Sequence, residues 1–478
     1  MKMLIGGKWK GASDNGVREV INPATGEVID TVPEATKEDV DEAIRLSLAG
    51  KEAWASFPLW KRAEILNKFV DMIDDNRKEL GLLLSKEMGK PIKEAVGDFT
   101  SLKAIFTGFI ETANNLLGNA MPIGVQPGKE KDLEITIREP LGTVVCIVPF
   151  NAPLVLFSHK VAPALIAGNA VIVKPASDNP LTLLRVVELM LKAGVPGDAV
   201  QILTGSGSKV GAWLTGDSRI AKVSFTGSTE VGLEIAQNAA KNLAHISLEL
   251  GGNAPFIVLE DGDVDLAVQE AYLGRAAYVS GQICNVSKRF LIHRSCKEEF
   301  MNKLITKLKT LVIGDPLDEN TQMGTLISER AAKEVEQQVA HTVEQGARLV
   351  YGGQRNGAFY TPAVLDGVTN KMDIAHNLEI FGPVFPIIEF DTIEEAISIA
   401  NDTIYGLGAS VFTRDMKKAM KIVMAMEAGS VIVNGNSFYR SLLMPFGGYK
   451  KSGIGREGLT ATLQAVTQTK SVVFKNIL

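Results

Sequence analysis

The spacing of apolar residues along this chain changes period several times, and each change predicts a different element. Residues 4–34 read as short strands and turns, broken by Gly6-Gly7 and Asn22-Pro23. From there Val40, Ala43, Ile44, Ser47 and Leu48 mark the inner stripe of a helix that Thr36 and Asp39 can cap. A second helix is predicted from near Pro58, with Ile65, Leu66, Phe69, Val70 and Ile73 on one face. Gly89 and Pro91 punctuate its end, and a third helix is predicted to about Leu117. Leu133, Ile135 and Ile137 then alternate with polar residues, the mark of a half-exposed strand.

At Thr143 the alternation gives way to short, nearly continuous apolar runs at 144–148, 170–173, 200–203 and 223–225. Helical stretches at 154–167, 181–193, 207–216 and 229–240 separate them. Strands buried on both faces and alternating with helices predict an α/β fold on a parallel sheet, with ligands beyond the strand C-termini. A second α/β section starts near 251, with a helix over 263–279 and a strand over 289–293. Ser295 and Glu298 read as a capping box opening a helix over 296–311. Strands follow at 384–390, 408–412 and 430–434, with helices at 393–400 and 415–427. Residues 467–474 read as one more strand, set apart from both sections. With 132–138 it suggests an oligomerisation arm, because a lone strand needs another edge.

Composition narrows the class. A length of 478 residues allows about three domain-sized units, and 46% hydrophobic content fills large cores. A net charge of −5 argues against a strongly basic nucleic-acid surface. No apolar h-region opens the sequence, and no apolar run reaches the ~20 residues of a membrane span. Cys146, Cys284 and Cys296 are too scattered for a disulfide framework, and the five histidines lack paired ligand spacing. A soluble, cytoplasmic protein without metal, membrane or nucleic-acid partner is expected.

Candidate chemistry centres on Cys284, in Gly281-Gln-Ile-Cys-Asn-Val-Ser-Lys-Arg289. A thiolate is a strong nucleophile where positive potential or a base removes its proton. Gly281 lets the backbone approach a ligand closely. The competing reading is a buried structural cysteine, which the polar neighbours disfavour. Cys296 is the rival nucleophile, placed where a helix dipole lowers a thiol pKa, and Cys146 reads as core. Glu249 lies inside an apolar strand before Gly251-Gly252; burial raises its pKa and suits it to general-base work, the alternative being a structural ion pair. Asn151, between Pro149 and Pro153, can offer an amide N–H to an oxyanion or simply shape a turn.

Other positions suit a nucleotide. Gly227 and Ser228 close a buried strand and open a helix, a phosphate-binding geometry that also occurs without any ligand. Gly205, Gly207 and Gly211 miss the G-x-G-x-x-G spacing by one residue. Lys174 ends a strand where it can reach ribose or phosphate oxygens, or remain a solvated turn lysine. Glu379, next to Phe381, says little on its own.

In chain order these pieces closely resemble the aldehyde dehydrogenase superfamily: Pro-Phe-Asn151, Lys174-Pro-Ala-Ser, Phe-Thr-Gly227-Ser-Thr, Leu-Glu249-Leu-Gly-Gly-Asn, Gly-Gln-Ile-Cys284, Glu379-Ile-Phe-Gly-Pro and Pro445-Phe-Gly-Gly-Tyr-Lys-Lys-Ser-Gly. The resemblance implies two parallel-sheet α/β domains plus a small β arm. Residues 1–125 and 143–250 would bind NAD or NADP, 251–434 would carry the cysteine, 126–142 and 463–478 would form the arm, and 435–462 would return to the cofactor domain. It implies attack by Cys284 on an aldehyde, an oxyanion held by Asn151 and the Cys284 N–H, hydride transfer to nicotinamide, and thioester hydrolysis by water that Glu249 activates. Phe150, Lys174, Ser177, Gly207, Gly211, Gly227, Ser228, Leu250, Glu379 and Phe381 would face the cofactor. Ser177 stands where relatives with Glu repel a 2′-phosphate, so NADP is expected to be accepted alongside NAD.

By family position Ala152, Val155, Leu156, His159, Ile283, Asn285, Arg440 and Phe446 would line the aldehyde tunnel. His159, Asn285 and Arg440 suggest a short aldehyde with a hydroxyl, carboxylate or similar polar end, unless Arg440 points to solvent. The pattern looks most like the lactaldehyde/glycolaldehyde and succinate-semialdehyde branches, working as a homodimer or homotetramer. The alternatives are a cysteine-dependent thioester hydrolase or acyltransferase without nicotinamide, and an inactive binding member of the family.

Overall fold

Strand Thr143–Ile147 sits at the centre of the first of two large sheets and sets where ligands can enter. In this computed structural model, which describes residues 1–116 and 118–478, that sheet has eight strands among the described residues. Their order is Lys8–Lys10, Met3–Ile5, Val200–Ile202, Ala170–Lys174, Thr143–Ile147, Lys222–Thr226, His245–Glu249, Gly453–Ile454. The five inner strands are parallel. The chain lays 170–174 and 200–202 to one side of Thr143–Ile147, then crosses back to lay 222–226 and 245–249 on the other. Such a reversal opens a crevice at the strand C-termini, and Phe150-Asn151 and Gly227-Ser228 follow the two strands that flank it.

The second sheet runs Arg348–Tyr351, Ala363–Val368, Val384–Phe390, Ser287–His293, Ala254–Val258, Gly408–Phe412, Ser430–Val433. It is parallel except at its first strand. Most of the expected strands and helices of both sections are present within one or two residues, the helix expected over 296–311 ending early at Leu308, and Thr36 and Asp39 do form a capping box. The strand Thr467–Phe474 pairs antiparallel with Leu133–Pro140 over its whole length, in a ribbon separate from both sheets. Helices Leu59–Met88 and Ile92–Ala113 pack on Pro153–Ile166 through Phe69, Phe106 and Phe157, with ring centres 5.0 Å and 6.3 Å apart. Full burial of each ring stabilises the fold by about 1.5–3 kcal/mol. Among the described residues no helix is long and apolar enough to cross a membrane.

Three boundaries differ from expectation. The third helix stops at Ala113, and Leu117 lies outside the described residues. The helix expected over 263–279 is α-helical only over Val264–Tyr272, then widens into a π turn over Leu273–Ala277 and a 3-10 turn over Val279–Gly281. The wide turn aims the buried Arg275 inward, where its guanidinium donates to the carbonyls of Val384, Ile380 and Gly281. The next helix begins at Arg294, not 296. Its cap is His293, whose Nδ1 accepts the Ser295 N–H at 3.3 Å, so Ser295 and Glu298 form no capping box.

Candidate active site

Cys284 follows that irregular turn, and its neighbours fix the turn from every side. Val279 and Ser280 adopt φ of 48° and 52°, a strained left-handed conformation for non-glycine residues. The Gln282 side chain accepts the Ile327 N–H at 3.0 Å and donates to Val279 O at 3.2 Å. Gly281 is required here, but by protein packing instead of a ligand: a Cβ would lie 2.6 Å from Arg275 O and 2.7 Å from Gly382 O. Polar neighbours do not keep this segment near solvent either. Asn285, Ser287, Lys288 and Arg289 are all buried, each with internal hydrogen bonds, while Cys284 is half-buried. Burial pushes its thiol up to about 11; Lys288 and Arg440 oppose this, and Glu379 and Glu249 add to it.

The other two cysteines stand apart. Cys146 is buried in its strand, and burial pushes its thiol up to about 12. Cys296 does not gain acidity from its helix. Burial pushes it up to about 11, and its Sγ lies 3.4 Å from His293 O.

Glu249 ends strand His245–Glu249, is 3% exposed, and its Oε2 has no hydrogen-bond partner. Burial, then the charge of Glu457, raises its pKa well above the ordinary value, against Lys160, Arg440 and Arg456. Glu457 takes the cations for itself. One of its oxygens lies 3.1 Å from Lys160 Nζ and the other 2.8 Å from Arg440 Nη2. Burial alone would raise Glu457, yet Lys160 and Arg440 hold it below the usual carboxylate range. Asn151 Nδ2 donates to Gln282 O at 2.9 Å, which leaves its second amide hydrogen for another acceptor.

At the crevice Phe150 meets Phe381 edge-on at 5.9 Å, and Phe150 O accepts from Asn179 Nδ2 at 2.8 Å. Glu379 Oε1 accepts the Gly252 N–H at 3.2 Å and pairs with Lys288 at 3.1 Å. A Cβ on Gly251 would lie 2.3 Å from Glu379 Oε2, so that glycine makes room for the carboxylate. Lys174 is buried, not a solvated turn lysine. Its Nζ donates to Pro175 O at 2.6 Å, and burial, then Arg18, lowers its pKa to about 8 against Glu34 and Asp178. Gly227 N–H donates to Glu249 O at 3.1 Å, and Ser228 caps helix Thr229–Ala240 by accepting the Val231 N–H at 3.4 Å. Leu250 is buried, with its side chain against Gly232. Close packing in the 205–211 stretch falls on Gly205, where a Cβ would lie 3.0 Å from Ala35 N; around Gly207 and Gly211 there is open space.

Ser177 Oγ donates to Gly205 O at 2.9 Å. A carboxylate from another element reaches the same turn. Glu34 Oε2 accepts the Ser206 N–H at 2.9 Å and its other oxygen pairs with Arg18.

Of the residues expected to line the aldehyde tunnel, Ala152, Val155 and Ile283 are partly exposed, while Leu156, His159, Asn285 and Phe446 are buried. Arg440 does not point to solvent: it is 19% exposed, pairs with Glu457 and stacks over Phe446 at 4.2 Å. Asn285 donates one amide hydrogen to Ser437 O at 3.2 Å, which leaves the second for another acceptor. Burial, then Arg440, lowers the His159 pKa to about 3, leaving a neutral ring edge-on to Phe109 with Nδ1 unpartnered. Lys160, Glu457, Lys288, Glu34 and Arg18 escape the sequence reading. Lys160 alone leaves a trace, as a lysine inside an apolar helix; the rest are brought in by tertiary contacts.

The model of the aldehyde dehydrogenase family matches residues 9–472. The chain is 37% identical to 3-sulfolactaldehyde dehydrogenase of Priestia aryabhattai over 98% of its length and 97% of the relative's. It is 35% identical to a mitochondrial succinate-semialdehyde dehydrogenase of Oryza sativa subsp. japonica, over 99% and 89%. The fold superposes on betaine aldehyde dehydrogenase of Staphylococcus aureus, solved in complex with NAD+, with a TM-score of 0.95, 34% identity and coverage of 100% and 95%. With the family match spanning nearly the whole chain, this protein belongs to the aldehyde dehydrogenase family of oxidoreductases.

Proposed function

We propose that this enzyme oxidises a short aldehyde with a polar, preferably anionic, far end to the carboxylic acid, with NAD or NADP as electron acceptor. The observation that carries this reading is the Arg440 guanidinium, 19% exposed, stacked over Phe446 at 4.2 Å and held by Glu457 through Nη2. Two relatives are named for aldehydes with a sulfonate or carboxylate end, which agrees with a cation at that place.

The residues at the crevice fit a dinucleotide. Gly251 leaves space for Glu379, Lys174 lies buried at a strand end, and Asn179 Oδ1 is buried without a partner. Glu379 and Lys174 would hold the riboses, and the first turn of helix Thr229–Ala240 the pyrophosphate. When bound, the nicotinamide supplies the acceptor for the hydride. The sheet of Thr143–Ile147 would then serve as the cofactor domain and the sheet of Ser287–His293 as the catalytic one.

Cys284, once its proton has passed to solvent, attacks as the thiolate and forms the bond to the carbonyl carbon, and the electron pair moves to the aldehyde oxygen. The free amide hydrogen of Asn151 and the Cys284 N–H stabilise that oxyanion; one such donor is worth about 100- to 1000-fold in rate. After oxidation Glu249 accepts a proton from water as its oxygen attacks the thioester carbon. The C–S bond breaks, the acid departs, and Cys284 leaves as thiolate. The outer edge of strand Thr467–Phe474 offers backbone pairing to a second copy of the chain.

Steady-state rates for glycolaldehyde, lactaldehyde, succinate semialdehyde, 3-sulfolactaldehyde and benzaldehyde, each with NAD and NADP, test the reading through the absorbance of reduced nicotinamide. The anionic aldehydes should give the highest kcat/KM. A preference for benzaldehyde would overturn the assignment.

A further inference from the structure

Lys288 is the fourth residue after Cys284 and its side chain is 1% exposed. The strand runs on through Phe290, Leu291 and Ile292, so an apolar side chain would fill this place without the desolvation cost of a buried ammonium. What the lysine touches gives the reason for it. Its Nζ donates to the Cys284 carbonyl oxygen at 2.6 Å, lies 3.1 Å from Glu379 Oε1, and sits 5.7 Å from the centre of the Phe381 ring. Glu379 is fixed in turn by the Gly252 N–H.

We propose that Lys288 is a positioning residue for the nucleophile: its ammonium ties the Cys284 turn to Glu379 and brings positive charge to the nucleophile's own backbone. This rests on the reading of Cys284 as nucleophile. The charged groups that act on the thiol are Lys288, Glu379, Glu249 and Arg440, and those that act on Lys288 are Glu379, Arg275 and the thiol itself. Of these, Lys288 is the one bonded to the nucleophile's own backbone, so it both orients the turn and favours the thiolate. The sign follows. A cation stabilises the thiolate and lowers its pKa, so removing that cation raises it.

The test is the pH dependence of Cys284 alkylation by iodoacetamide in the full-length protein, with the modified peptide identified by mass. Lys288→Met should move the profile about one pH unit upward and slow alkylation at pH 8 about tenfold. Lys288→Gln keeps a hydrogen-bond donor for the Cys284 carbonyl but no charge, and should slow it likewise; it also decides the matter if the methionine variant does not fold. Lys288→Arg should return the profile toward the parent. Overlapping profiles for parent, Met and Gln variants would overturn the inference while leaving the nucleophile intact. Modification of a residue other than Cys284 in the parent would instead remove the nucleophile reading beneath it.

Discussion

Arg440 Nη2 lies 2.8 Å from Glu457 Oε2, and Lys160 Nζ lies 3.1 Å from the other oxygen of that carboxylate. One anion thus takes two cations, and the neighbouring Glu249 is left without either as a hydrogen-bond partner. Arg440 belongs to this charge chain, and on the proposed reading it also faces the aldehyde. Arg440→Ala should raise KM for succinate semialdehyde by about 10- to 100-fold, the worth of a charge-assisted bond. KM for glycolaldehyde should change little. Equal losses for both substrates would place Arg440 in the scaffold alone.

The raised pKa of Glu249 and the Cys284 thiol at about 11 predict a one-sided pH profile. Below its raised pKa Glu249 carries a proton and cannot accept one from water, and Cys284 must lose its proton to attack. Activity should therefore climb with pH from 6 to 9. Glu249→Gln should lose about 100- to 10,000-fold in turnover yet still release a burst of reduced nicotinamide, because hydride transfer precedes hydrolysis. A stopped-flow trace without that burst would assign Glu249 to the first half-reaction.

On the proposed reading, cofactor choice responds to charge at positions 177 and 34. Ser177→Glu adds a negative charge where Ser177 meets Gly205, and should swing the NAD/NADP ratio of kcat/KM at least about tenfold toward NAD. Glu34→Gln removes the charge that pairs with Arg18 and bonds to Ser206, and should swing it the other way. Unchanged ratios in both variants would separate this pocket from the ribose.

The ribbon formed by Leu133–Pro140 and Thr467–Phe474 joins neither large sheet. A chain ending at Val466 lacks the outer strand and should form smaller assemblies by light scattering. An unchanged mass would show that assembly runs through another face.

Much of this was legible in the chain because it depends on neighbours in sequence. Apolar runs at 144–148 and 170–173 bury both faces of a strand whatever surrounds them, and Thr36 caps its helix through a residue three positions on. Local order also explains why the Gly-Gln-Ile-Cys and Leu-Glu-Leu-Gly-Gly stretches stood out. Where reading failed, the deciding partner was distant. His293 displaced Ser295 as a cap because its ring is steadied by Asp391 O, 98 residues away. Polar residues after Cys284 looked solvated, yet Ser437 and Glu379 bury Asn285 and Lys288 by meeting their polar groups inside. The sequence by itself determined most of the elements, their order and the identities of the reactive groups, since these follow from side-chain chemistry and short-range spacing. Strand Ala254–Val258, helix Glu329–Glu344 and strands Arg348–Tyr351 and Ala363–Val368 were not read from it. Only the tertiary structure decided which charges share a low-dielectric space, and the protonation of Glu249 and Cys284 depends on that, because the energy of a buried charge is set by whatever is folded against it.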